Sequence, residues 1–105
     1  MQLTSFLQEG RLTVALVGEI DHHRAKAFMH AVSSKIEAYR PSVCVLDFQE
    51  VSFVDSSAIA VVIHALREMN EIEGELFVSG LHTQPLKVFR MAGMDKLVEM
   101  EEQIS

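Results

Sequence analysis

The sequence predicts an α/β fold: one mixed β-sheet with its helices packed largely on one side, in the order β-β-α-β-α-β-α-β. Three observations carry this. The hydrophobic period switches back and forth between two and about 3.6 residues along the chain. One near-continuous apolar run, VCVLDF (Val43–Phe48), has the composition of a strand in the middle of a sheet. Finally, only the first two strand-like segments lie close enough to form a hairpin, so the later strands must be joined through helical crossovers, which makes them parallel.

The elements follow in order. LTSFLQEGRLTVALVG reads as two strands around Glu9-Gly10, and in the second Leu12, Val14 and Leu16 alternate onto one face. From Asp21 to about Tyr39 the period becomes helical: Ala25, Phe28, Met29, Val32, Ile36 and Tyr39 recur at spacings of three and four, and Asp21 is the expected N-cap. After Pro41 comes VCVLDF, expected to be a central strand covered on both faces. Ile59, Val62, Ile63, Leu66 and Met69 form a second helical stripe, and ELFVSG (Glu75–Gly80) is the next strand. The segment from Thr83 brings Pro85, Val88, Phe89 and Ala92 to one face, with Gly93 just past its end and Met91 and Met94 expected to pack the helix. KLVEM is read as a last short strand.

Length and composition bound the function. With 105 residues, 49% of them hydrophobic, residues 1–105 are read as a single domain with one core. The strongly apolar run Ala58–Ile63 is far shorter than the roughly 20 residues of a membrane span, and the N-terminus lacks a basic region followed by an apolar one. The single cysteine, Cys44, lies in an apolar run and suits a reducing compartment, so a cytoplasmic protein with no membrane partner is expected. A formal net charge of -6 removes the usual electrostatic drive for binding a phosphate backbone, so no nucleic-acid partner is expected.

Two segments fall at strand-to-helix turns: GEIDHHRA before the first helix and FVDSSAIA before the second. Taken alone, Asp55 and the two serines that follow make an ordinary helix start, with an acid capping the first turn. Such a start also presents unpaired N–H groups and a positive dipole end, which can accept a phosphate without unfolding the domain.

Taken with the order of elements, the Asp-Ser-Ser triplet, the Gly-Glu-Ile-Asp-His-His run and the FRMAGMDKLV segment resemble the STAS-domain family, in particular bacterial anti-sigma factor antagonists (anti-anti-sigma factors) of the sporulation type. FRMAGMDKLV is similar to the family's Phe-x-x-x-Gly-Leu ending of the third helix, and the resemblance spans most of the chain. It implies an antagonist that binds an anti-sigma factor with serine kinase activity and so frees a sigma factor. Phosphorylation of Ser56, the serine directly after the Asp, would release the partner, and a phosphoserine phosphatase would reset the switch. The same resemblance implies partner-binding roles for Asp21, His22, His23, Asp55 and Ser57. It also singles out Ala58, where the family usually has Gly: in an exposed first turn its methyl would meet an approaching partner backbone. The family often carries a further C-terminal helix, for which EMEEQIS leaves space for a turn or two.

Other chemistries are weighed against this. His22, His23 and Asp21 offer three potential metal ligands, but consecutive residues at a helix start diverge and the spacing that puts two histidines on one face is missing, so no metal is expected. Ser56 and the five histidines lack a Gly-x-Ser-x-Gly elbow, and there is no phosphate-binding glycine loop or dinucleotide fingerprint, so neither an enzyme nor a cofactor is expected. The alternative reading is a non-switching STAS scaffold or ligand-sensing module in a stress-signalling assembly.

Overall fold

The computed structural model describes residues 3–103. The chain opens with a hairpin of β1 (Leu3–Gln8) and β2 (Arg11–Ile20), followed by α1 (Ala25–Tyr39), β3 (Val43–Val54), α2 (Ser57–Glu71), β4 (Glu75–Leu81), α3 (Thr83–Met91), a single 3₁₀ turn at Met94–Lys96 and β5 (Glu99–Glu102). The sheet order is β1-β2-β3-β4-β5, with β1 antiparallel and every other pair parallel. The mixed sheet and the element order are those expected from the sequence. Glu9 and Gly10 both take positive φ, 52° and 80°, as a tight two-residue hairpin turn demands.

One face of the sheet carries all three helices. Leu12, Val14 and Leu16 of β2, Cys44, Leu46 and Phe48 of β3, and Leu76 and Val78 of β4 form a single buried cluster with Phe28, Val32 and Ile36 of α1, Val61, Val62, Ala65 and Met69 of α2, and Leu86 and Phe89 of α3. The period-two strands and the period-3.6 helices thus turn their apolar sides to the same layer. Phe48 and Phe89 meet edge to face, ring centroids 5.5 Å apart, and tie α3 to the central strand.

Several expectations need correction. β3 is central but not covered on both faces: among the described residues no helix lies over the face formed by Thr13, Val45 and Phe77, which sit side by side in register. Val45 nevertheless keeps only 6% exposure, and it lies outside the main cluster. β3 also runs past Phe48 to Val54, because Glu50 to Val54 continue pairing with β2 as far as Ile20. α1 begins at Ala25, the residues after Asp21 forming a turn first. Tyr39, at the last turn of α1, has run past the edge of the core and is exposed. Met94 is buried, whereas Met91 lies on the outer side of α3, two residues past Phe89, and is 79% exposed. The last strand starts at Glu99, later than KLVEM suggested, and most of the EMEEQIS segment belongs to this strand; residues 104 and 105 lie outside the described residues. No helix among the described residues is long and apolar enough to cross a membrane.

Candidate functional site

The C-terminal ends of β2 and β3 lie side by side, which brings the two strand-to-helix turns together. Ile20 pairs with Val54, and the Asp55 N–H donates to the Ile20 carbonyl at 3.1 Å. Each turn is organised by its own aspartate. The Asp21 Oδ1 accepts the backbone N–H groups of His23 and Arg24, both at 3.0 Å, while its carbonyl accepts Arg24 N–H at 3.1 Å and Ala25 N–H at 2.8 Å. Asp21 therefore caps a turn that leads into α1, satisfying donors that a helix start leaves unpaired. His22 and His23 are exposed on this turn, their rings tilted by 37° with centroids 4.0 Å apart.

Asp55 does the same for α2 and also links the two turns. Its Oδ1 accepts the Ser57 N–H at 2.8 Å and the Ser57 hydroxyl, and its Oδ2 accepts the His22 N–H at 3.2 Å. These bonds favour the charged carboxylate, so its pKa is held below the usual carboxylate value, chiefly by the Ser57 hydroxyl and then by the Ser57 backbone N–H, against an opposing burial effect that outweighs either of the lesser contributions from the His22 N–H and the His22 charge. An anionic group at the entrance of α2 also suits the helix dipole.

The two serines differ in consequence. Ser57 is half-buried with its hydroxyl spent on Asp55. Ser56 is exposed, sits at the N-cap position with φ -62° and ψ -19°, and its side chain caps nothing. A hydroxyl that is already donating to a carboxylate must break that bond to react, whereas the Ser56 hydroxyl needs no such rearrangement.

Ala58 requires a correction. Expected in an exposed first turn with its methyl toward a partner, it is instead fully buried and belongs to the core cluster. The turn after Asp55 rotates residue 58 inward while residue 56 faces out, so a partner cannot touch the Ala58 side chain without opening the core. The structure thus gathers Asp21, His22, His23, Asp55, Ser56 and Ser57 at one end of the sheet and leaves Ala58 beneath them.

One residue of this neighbourhood carried no signal in its own segment: Gln84, in the first turn of α3, which hydrogen-bonds the backbone of Val54 on both sides. Nothing in TQPLKVFRM marks that glutamine, because its partner lies 30 residues away in sequence. A concavity lined by Asn70, Gly74, Glu75, Arg90 and Lys96 among others is at the opposite end of the sheet, where β4 begins, and includes none of the Asp21 or Asp55 constellation.

This arrangement can be set beside known proteins. The chain is 26% identical over 98 residues to an anti-sigma F factor antagonist of Paenibacillus polymyxa, covering 93% of this chain and 84% of the relative. Its fold superposes on the unphosphorylated anti-sigma factor antagonist SpoIIAA with a TM-score of 0.82 at 22% identity, covering 98% of this chain and 89% of that one. It also superposes on the phosphorylated form of the Bacillus cell-fate determinant SpoIIAA, with a TM-score of 0.71 at 23% identity, covering 98% and 92%. The STAS domain model matches residues 6–105, which includes both turns and every strand and helix except the start of β1. With nearly the whole chain matched by that model, the chain belongs to the STAS domain family.

Proposed function

We propose that this chain is an anti-sigma factor antagonist that binds an anti-sigma factor with serine kinase activity, is phosphorylated by it on Ser56, and is reset by a phosphoserine phosphatase. The observation that carries this reading is the contrast between the exposed, unengaged Ser56 side chain and the Ser57 hydroxyl held by Asp55. The antagonist relative and the phosphorylated structural neighbour support it.

The physical mechanism is exclusion by charge. A phosphoserine adds roughly -1.5 to -2 charges at pH 7, next to an aspartate whose surroundings keep it ionised, on a protein of net charge -6. The start of α2 tolerates the group, since its dipole favours an anion. A partner surface matched to a neutral hydroxyl has to desolvate a dianion and face Asp55 as well, so it is released with no change of fold here. His22 and His23 stand exposed on the neighbouring turn, which Asp21 shapes, and complete the contact surface.

The test is intact-mass and peptide analysis after incubation with ATP-Mg and the anti-sigma kinase of the same genome. The expected result is one phosphate on Ser56. The Ser56→Ala protein is expected to stay folded, take no phosphate and bind constitutively, while Ser56→Asp binds more weakly. Phosphate incorporation into Ser56→Ala equal to wild type moves the acceptor elsewhere, and no incorporation into wild type favours a scaffold or ligand-sensing module.

A further inference from the structure

β3 outruns its neighbour on one side. The last register pair between β3 and β4 is Asp47 with Ser79; Gly80, with φ +72°, lies close against β3, where a Cβ would come 2.8 Å from the Gln49 nitrogen, and β4 ends at Leu81. β3 continues to Val54 with only β2 beside it as a strand. Peptide groups of a parallel strand alternate sides, and Asp55 N–H bonds to Ile20 on the β2 side, so the N–H and C=O of Val54 point to the side β4 has vacated.

Both groups are taken by one side chain. Val54 N–H donates to Gln84 Oε1 at 3.0 Å, and Gln84 Nε2 donates to the Val54 carbonyl at 2.8 Å. His82 Nε2 makes a related contact to the Gln49 carbonyl at 2.7 Å. The Gln84 amide thus stands in for one residue of the missing strand. Its helix is a firm anchor, since Pro85, Leu86 and Phe89 are buried and Phe89 packs on Phe48 of β3 itself.

We infer that Gln84 is the positioning residue of the Ser56 switch: it sets the height at which Val54 delivers Asp55 and Ser56 to the surface. The inference rests on the reading of Ser56 as the phosphate acceptor. Asp55 directly follows the clamped residue, and its two carboxylate oxygens span Ser57 on one side and His22 on the other. A shift of Val54 therefore moves that carboxylate against both turns at once and changes how the Ser56 hydroxyl is presented. The role needs a side chain that both donates and accepts at this length. Glutamate at neutral pH accepts from the Val54 N–H but has nothing to give the carbonyl, and methionine matches the shape while making neither bond.

The experiment compares wild type, Gln84→Met, Gln84→Glu and, as a control on the exposed side of the same helix, Lys87→Met. The first readout is amide hydrogen exchange by NMR, which needs no partner. In Gln84→Met, the amides of Val54, Ser57 and His22 are expected to exchange about thirty-fold faster, the change that losing two hydrogen bonds of average strength produces. Val14 and Leu46 are expected to be unchanged, as is every one of these amides in Lys87→Met. Release of Val54 alone, with Ser57 and His22 protected as in wild type, overturns the inference. If Gln84→Met does not fold, Gln84→Glu is read at Ser57 and His22 alone, since it still accepts from the Val54 N–H: faster exchange of both is expected, and wild-type protection of both overturns the inference.

The second readout is phosphate transfer from ATP-Mg by the anti-sigma kinase of the same genome. The expected result is kcat lowered about ten-fold with KM within about two-fold, since the surface is retained and its alignment is not. An unchanged kcat overturns the positioning role. If wild type itself takes no phosphate, the switch reading falls and Gln84's part in phosphorylation falls with it, while the exchange measurement still decides whether Gln84 holds Asp55.

Discussion

Leu46 and Val45 are neighbours on the central strand, yet they face different layers, and truncating each tests the layer assignment. Leu46 is fully buried within the cluster between sheet and helices, with Val14 and Val78 beside it in register. Leu46→Ala removes three carbons, about 2.4 kcal/mol of burial at about 0.8 kcal/mol each, and leaves a cavity that the packed helices close only in part. The total is expected at roughly 3 to 5 kcal/mol. Val45 is nearly as buried, at 6% exposure, but no helix lies over it among the described residues. Val45→Ala removes two carbons, worth at most about 1.6 kcal/mol, and water can fill the space, so no cavity penalty is added. Equilibrium urea unfolding of both variants and wild type, with m-values compared, reads the two costs directly. Equal losses of stability at the two positions would refute the one-sided architecture. A rise in m for Leu46→Ala would point to an altered denatured state instead of a cavity.

Three further outcomes are expected. Ala58→Gly removes a buried methyl and loosens the first turn of α2, so it is expected to cost about 1 to 2 kcal/mol in urea unfolding while leaving partner affinity unchanged once both proteins are fully folded; an affinity change with no stability change would put residue 58 at the surface. Asp55 has its pKa lowered in the folded state, so its contribution to stability is present above the unfolded carboxylate value near about 3.9 and is lost as pH falls through the folded value; an NMR titration midpoint for Asp55 at or above that unfolded value contradicts the hydrogen bonds drawn to it. Burial pushes the Cys44 thiol up to about 12, so its contribution is fully present below the unfolded value near about 8.5 and is lost as pH rises toward the folded one. At pH 8 an aromatic disulfide reagent is expected to label Cys44 readily in guanidinium and only slowly in the native protein; equal rates would mean the thiol is not enclosed.

Apart from the stripe on α2, where Ala58, Val61 and Ala65 are buried and Ile59, Ile63 and Leu66 only partly so, the local features were legible in the sequence: the order of elements, the hairpin at Glu9-Gly10, the inward face of α1 and the position of both aspartates at strand-to-helix turns. Each is a local property, written in hydrophobic periods and turn chemistry over a few residues. Gln49, Glu50 and Ser52 break the apolar pattern, so the reading ended the central strand at Phe48; only pairing with β2 carries it to Val54. Likewise a helical spacing says that residues share a face but not where that face leaves the core, and for this reason Tyr39 and Met91 came out exposed and Ala58 buried. The uncovered side of the sheet and the Gln84 clamp on Val54 were decided by tertiary structure alone. Both depend on where β4 parts from β3 and where α3 then lies, and a contact across 30 residues leaves no periodicity in either of the segments it joins.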